Sequence, residues 1–347
     1  MALYNLVNKQ ILKEKLHSSQ QDRITLSFYK YHHIQETLHF RNELFRQWQS
    51  LDVLGRTFIA EEGINAQISV PRQNFEPFKS QLYSIPFLDG VRLNIAIDDN
   101  GKSFFKLKIT IRKKIVADGI DDPNFDVTNR GQHVNAEEFN KLANNPDTLI
   151  VDMRNHYESE VGRFKNAICP DVDTFRQELQ VVEDLMKEHK NKNLLMYCTG
   201  GIRCEKASAW MKYKGFKNVF QLDGGIINYT RQVKQFGLEN KFIGKNFVFD
   251  ERMSERITDD ILSVCHQCGK PCDTHTNCKN EGCHLLFIQC KACSEKWEGC
   301  CSSECQEIIK LPVEVQKKLR SGKAQGRMVF KKGRADHLVK PIWSSVN

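Results

Sequence analysis

A thiol, two glycines and an arginine fall together at Cys198-Thr199-Gly200-Gly201-Ile202-Arg203. The apolar run 193–197 before them reads as a buried strand, and the stretch 204–211 after them as helix closing at Gly215. Cys198 therefore stands at the carboxyl end of a strand with a helix N-terminus behind it. Gly200 and Gly201 let the loop curl so that successive N–H groups point inward, and the helix dipole adds to this anion nest; both favour thiolate over thiol. Arg203 contributes a fixed positive charge and a planar donor fork suited to a sulfonate or phosphate. Cys204 lies one residue beyond, close enough to resolve an oxidised Cys198 as a disulfide, with packing under the loop as the duller alternative.

A second chemistry lies further along. Ten of the thirteen cysteines fall between 265 and 305, and eight form close pairs: Cys265 with Cys268, Cys278 with Cys283, Cys290 with Cys293, and Cys301 with Cys305. Each pair can grip one edge of a tetrahedral Zn²⁺, so four pairs imply two zincs, structural because no open ligand position is evident. If the first and third pairs share one metal and the second and fourth the other, the module is cross-braced. Spacing alone leaves that pairing open, with Cys272, Cys300, His266, His275 and His284 as possible substitutes. In a long chain whose opening lacks an apolar signal core, reduced cysteines and a cytoplasmic location are expected. No apolar run approaches the ~18 residues that span a bilayer.

The net charge of +8 is confined to the end: residues 310–347 hold ten Lys/Arg and two acids, while residues 1–309 carry 41 of each sign. Lys317, Lys318, Arg320, Lys323, Arg327, Lys331, Lys332 and Arg334, interleaved with glycines, suit a flexible arm laid along RNA phosphates. A solvated tail is the competing reading.

These groups need a scaffold of two or three domains, which 347 residues can build. Residues 1–112 show period-two alternation at Ile24, Leu26, Phe28, at Ile64, Ala66, Ile68, Val70, and at Val91, Leu93, Ile95, Ile97. Val53 to Ala60 reads as a further strand, and helical spacing joins Phe40, Leu44, Phe45, Trp48 and Phe75, Phe78, Leu82. The order predicts a ferredoxin-like (acylphosphatase-like) α+β domain with one sheet face left free. A following strand, Phe105 to Ile111, carries Lys106, Lys108 and Arg112 as a second candidate phosphate-facing surface, or as an ordinary solvated edge. Residues 128–240 read as an α/β domain with a parallel sheet built on strands at 148–152, 193–197 and 219–222. The cysteine module over 262–309 and the basic tail over 310–347 complete the chain.

Four residues separate Cys198 from Arg203, one fewer than in a Cys-phosphatase loop, and the tighter ring resembles that of rhodanese domains, which carry a persulfide sulfur. Val151-Asp152-Met153-Arg154, Tyr157-Glu158, the stretch 162–168 and Leu222-Asp223-Gly224-Gly225-Ile226 follow in rhodanese order. Arg163 departs from the histidine that many rhodanese domains carry there. Together with Ala60-Glu61-Glu62-Gly63-Ile64-Asn65, the loop continuing to Glu205-Lys206, and Cys265-His266-Gln267-Cys268-Gly269, the chain resembles the rhodanese-domain tRNA uridine hydroxylase family (TrhO/YceA) over nearly its full length. The resemblance implies oxygen-dependent formation of 5-hydroxyuridine at the wobble position of tRNA, with Cys198 as catalytic centre and O2 as co-substrate. It makes tRNA, rather than DNA or a membrane, the expected partner. The residues alone reach a reactive thiol, zinc and a basic arm. They leave open a sulfurtransferase carrying a Cys198 persulfide and a non-enzymatic tRNA-binding module. No flavin, haem or nicotinamide motif is present in the sequence, so a thiolate or persulfide at Cys198 adding to C6 of uracil, making C5 nucleophilic toward an oxidised sulfur or oxygen species, is the route the side chains suggest.

Overall fold

The computed structural model describes residues 7, 9–19, 21–321 and 333–339. After a helix α1 (Lys9–Ser18) come β1 (Arg23–Tyr31), α2 (Thr37–Ser50), β2 (Leu54–Ala60), β3 (Gly63–Pro71), α3 (Phe75–Tyr83), β4 (Asn94–Ile95) and β5 (Leu107–Ile111). They form one sheet in the order β4-β1-β3-β2-β5, with β5 parallel to β2 at one edge. This is the expected ferredoxin-like arrangement plus one strand. Leu26, Phe28, Ile64, Ala66 and Ile68 point to the face covered by α2 and α3, where they pack with Leu44, Phe45, Trp48, Phe78 and Leu82. Strand alternation sends Ser27, Tyr29, Asn65 and Gln67 to the opposite face, with Ser27 paired to Gln67 and Tyr29 to Asn65 in register.

Two expectations change here. The strand predicted over Val91 to Ile97 shrinks to Asn94–Ile95, because the chain turns through Gly90 at φ +64° and Val91 is spent on the core. The sheet's second face is not free: it is pressed against the loop that carries Cys198. Lys108 is exposed on the edge strand, and the Lys106 ammonium and the Arg112 guanidinium lie over the rings of Phe105 and Phe58.

The central domain runs β6 (Gln132–Val134), α4 (Ala136–Ala143), β7 (Thr148–Asp152), α5 (His156–Ser159), β8 (Gly162–Phe164), α6 (Phe175–Met186), β9 (Asn193–Tyr197), α7 (Ile202–Tyr213), β10 (Asn218–Leu222) and α8 (Gly225–Phe236). The parallel sheet is ordered β6-β10-β9-β7. Asn135 and Glu138 form a capping box at α4, and Thr174 caps α6, which fixes where those helices begin. The chain then stays with this domain: β11 (Phe242–Phe247) pairs antiparallel with both β8 and β12 (Ser254–Arg256). The cysteine module contributes β13 (His275–Asn277), β14 (Leu286–Ile288), α9 (Lys291–Lys296) and α10 (Ser303–Lys310), and α11 (Val313–Arg320) follows. It docks on α5 and the turn after it, where Val161 packs among Cys265, Cys272, Ile288 and Cys293, and Tyr157 against Phe247 and Leu286.

Candidate active site

The loop after β9 has one solution that its glycines permit. Gly201 caps α7 at φ +100°, a conformation L side chains rarely adopt, and a Cβ there would come within 2.8 Å of the Tyr29 hydroxyl. Gly225, at φ +65°, lies so close beneath the loop that a Cβ would meet the Cys198 and Thr199 carbonyls at 2.5 and 2.6 Å. The backbone N–H groups of Ile226 and Ile227 donate to those same carbonyls at 3.0 and 3.2 Å. The Asp223-Gly224-Gly225 turn is thus the buttress of the cysteine loop.

Cys198 is buried, and its sulfur accepts a hydrogen bond from the Gly201 N–H at 3.2 Å. Burial alone would raise its pKa. The Cys204 thiol donating to it, the Arg203 charge and the N–H groups of Cys204 and Arg203 outweigh burial and hold it at about 6. Cys204 moves the other way: buried and hydrogen-bonded to Cys198, its thiol is pushed well above the ordinary range. The pair is a thiolate steadied by a thiol.

The expectation that the Arg203 fork is open to an oxyanion needs correcting. Nη1 and Nη2 donate to the two oxygens of Glu158 at 2.7 and 2.8 Å, a bidentate pair in which Glu158 is wholly buried. Burial would raise the Glu158 pKa, but Arg203 lowers it below its ordinary value. Thr199 Oγ1 lies 3.5 Å from both partners. The arginine therefore acts on the sulfur as a fixed charge, with its orientation set by α5.

Above Cys198 is a cavity of about 300 Å³ between the domains. The rhodanese-type loop contributes Cys198, Thr199, Gly200, Ile202 and Arg203; the N-terminal sheet contributes Ser27, Tyr29, Asn65, Gln67 and Asn94; the segment after β11 contributes Phe249, Arg252 and Glu255. Asn65 donates to the Ile115 carbonyl at 3.2 Å and accepts from Gln67 at 2.6 Å, fixing both amides. Glu255 accepts from the Ile97 N–H at 3.0 Å and from Arg252 at 2.8 Å through Oε1, while its buried Oε2 has no donor among the described residues. An acceptor left unpaired beside a cavity suits a ligand that brings an N–H. Sequence reasoning missed these residues: it left this sheet face free and singled out none of Ser27, Tyr29, Asn65 and Gln67 on it.

The sequence stretches that carried the resemblance touch one another. Glu62 and Asp118 enclose the buried ammonium of Lys206, with Glu62 2.8 Å away, which ties the first domain and its connecting segment to α7. His266 bonds to Glu160 at 2.7 Å, which ties the cysteine module to the end of α5.

Two groups of four sulfurs could each hold a metal ion: Cys265, Cys268, Cys290 and Cys293, and Cys278, Cys283, Cys301 and Cys305, the atoms of each group lying within 4.8 Å of one another. The pairing is the cross-braced one, and Cys272, Cys300, His266, His275 and His284 belong to neither group. Cys268 to Cys290 and Cys283 to Cys301 measure 3.7 Å, and Cys301 to Cys305 3.8 Å. A tetrahedron with bonds of ~2.3 Å has edges of about 3.8 Å, so the donor sets fit zinc–thiolate geometry. The N–H of Cys290 and the Asn280 amide each donate to a sulfur at 3.3 Å, as thiolate ligands require.

The basic tail is not a continuous flexible arm. Lys317, Lys318 and Arg320 lie on α11, where Lys317 pairs with Glu314 and Arg320 with Glu281. Arg334 pairs with Asp171, and Ala335 and Leu338 are buried against the cysteine module. Lys323, Arg327, Lys331 and Lys332 lie outside the described residues.

Comparison with known proteins agrees with this architecture. Residues 23–115 match the UPF0176 acylphosphatase-like domain, 135–232 the rhodanese-like domain and 243–306 the rhodanese C-terminal family. A protein of Photorhabdus laumondii named tRNA uridine(34) hydroxylase is 55% identical over 333 residues, covering 96% of this chain and 95% of that one. One of the same name from Pectobacterium atrosepticum is 55% identical, covering 96% and 94%. Identity at this level spans both domains that wall the cavity as well as the cysteine module, and the chain belongs to the tRNA uridine(34) hydroxylase family.

Proposed function

We propose that the protein hydroxylates the wobble uridine of tRNA at C5, with Cys198 as the nucleophile. One observation carries the reading: a thiolate with a pKa of about 6 at the floor of a cavity whose other wall is a polar sheet face. A base in a folded anticodon loop must leave its stack to reach a buried sulfur, and a mainly apolar cavity with fixed amides on one wall suits a flipped pyrimidine. Gln67, Asn94 and Glu255 supply acceptors and donors for its imide edge, and Phe104 and Phe249 supply faces for stacking.

In the step that follows, the Cys198 thiolate adds to C6 and the electron pair moves through C5 to O4. C5 then attacks one oxygen of hydrogen peroxide, formed when O2 takes two electrons and two protons from a dithiol donor that closes to a disulfide. The O–O bond breaks, C5–OH forms and water leaves. Loss of the C5 proton and departure of the thiolate from C6 restore the ring double bond and the free cysteine. Zinc at the two four-cysteine groups would hold the module that braces α5, and through Glu158 the Arg203 charge.

An anticodon stem-loop with 5-fluorouridine at the wobble position tests this route, since fluorine cannot leave as the proton does. A covalent RNA adduct on Cys198, absent in Cys198→Ser, is expected; hydroxylation of the normal substrate with no adduct on the fluorinated one overturns it. Sulfur transfer from a Cys198 persulfide is the second reading, favoured by the six-residue loop. Thiosulfate-dependent turnover with a biological acceptor, exceeding hydroxylation, would put it first.

A further inference from the structure

A second cavity, of about 270 Å³, opens on the other side of the cysteine loop. It shares Tyr29, Asn94 and Gly200 with the first, so the two chambers adjoin across these residues. Their linings differ in kind. The first is mostly apolar around a thiolate; the second holds Lys30, Arg92 and Arg130 together with Glu205 and Asp223.

The two carboxylates there already have partners. Glu205 accepts from the Tyr29 hydroxyl at 2.9 Å, from His133 at 3.0 Å and from Arg130 at 3.1 Å. Asp223 receives both Nη groups of Arg92. Lys30 is exposed and has no carboxylate partner among the described residues. Three cations against two satisfied anions leave a net positive chamber with free donors. Gly224, at φ +69°, keeps it open: a Cβ there would stand 2.8 Å from the Arg92 Nη1. A neutral or cationic ligand gains nothing here, and a phosphodiester gains a charge-assisted contact.

We infer that this chamber binds a backbone phosphate flanking the uridine whose base occupies the first. A nucleotide is a flat, weakly polar ring joined through one sugar to an anion, and adjoining apolar and cationic chambers match it part for part. The inference rests on the proposed function for which base lies in the first chamber, and it adds what holds that nucleotide in place. Binding of the phosphate would draw the sugar across Tyr29 and Asn94 and commit the base to the sulfur. This assigns to Lys30 and Arg130 a positioning role on RNA, separate from the chemistry at Cys198.

The test uses the full chain and an anticodon stem-loop in which one phosphodiester, 5′ or 3′ of the wobble uridine, is replaced by a neutral methylphosphonate. With wild-type protein one of the two replacements should weaken binding about fivefold to tenfold and flatten the salt dependence by ~0.7–0.9 in slope. With Lys30→Gln combined with Arg130→Gln the same replacement should change nothing further, because the contact is already lost. Lys30→Gln alone, at an exposed position, keeps the test valid should the double variant fold poorly. The Cys198 alkylation midpoint should stay where it is. Indifference of wild-type binding to both neutral linkages, or additive losses in the variants, overturns the inference. Binding and turnover are scored separately, so binding that senses the phosphate without any hydroxylation would overturn the proposed function and leave the phosphate site standing.

Discussion

Replacing Arg203 by Gln separates the two things that this side chain does. In the structure it is a buried cation that both lowers the Cys198 pKa and neutralises Glu158. The Cys204 hydrogen bond and the backbone N–H groups remain after the change, so the Cys198 midpoint should climb from about 6 by roughly one to two units rather than fully to the free-thiol value. Glu158 is left wholly buried without its partner, a loss that costs about 3–5 kcal/mol of stability in comparable pairs. Adding Glu158→Gln should restore much of that stability by pairing two amides, but not the depressed midpoint. The assay is the pH profile of Cys198 alkylation, read as a midpoint. The rate at a single pH is a poor measure, because a thiolate of higher pKa is also the better nucleophile. Urea unfolding of the single and double variants supplies the stability term. A midpoint that stays near 6 in both would refute the argument that the Arg203 charge tunes the sulfur.

Other consequences can be measured directly. Cys198 is depressed relative to an unfolded thiol at about 8.5, so the folded chain releases its proton first, and stability should rise with pH from about 6 to about 8.5, by up to ~3 kcal/mol; Cys198→Ser should flatten that rise, and a slope unchanged by the substitution would contradict the thiolate. Metal analysis should find two zinc ions per chain, falling to one in Cys268→Ser and in Cys283→Ser alike, since these ligands belong to different groups; a chain that loses both metals with either change would point to a shared centre. Zinc removal should loosen α5 and raise the Cys198 midpoint through Glu158 and Arg203, whereas an unaltered midpoint in the metal-free protein would detach the module from the site. Changing Lys323, Arg327, Lys331 and Lys332 to Gln should weaken all tRNAs alike and lower the salt slope by about three, at ~0.7–0.9 per phosphate contact; full affinity at physiological salt would leave these lysines and this arginine as solvated charges.

The cysteine loop was legible because its chemistry is local. A strand, a thiol, two glycines and a helix within about twenty residues leave little freedom, and β9 and α7 fall where the residues place them. The pairing of the zinc-ligand cysteines needed coordinates, since spacing could not choose between partners. The cavity was hidden for a different reason. Ser27 and Tyr29 alternate with Leu26 and Phe28 as any solvated strand would, and period two cannot distinguish water from a second domain on the polar side. The available signal was in residue type: Tyr29, Tyr31, Asn65 and Gln67 are large aromatics and amides where an exposed face would favour lysine and glutamate. Arg203 was misread for a related reason, because its partner Glu158 is 45 residues away and its approach depends on α5 packing beneath the loop.

The proposed role of Cys198, activating the wobble uridine for hydroxylation at C5, is checked by nucleoside mass analysis of tRNA. A strain lacking this protein and any other enzyme making the same modification would be complemented with the wild-type chain or with Cys198→Ser. One added oxygen atom on the wobble uridine, with its derivatives, is expected in the first strain and unmodified uridine in the second. Hydroxylated uridine at equal abundance in the Cys198→Ser strain would contradict it.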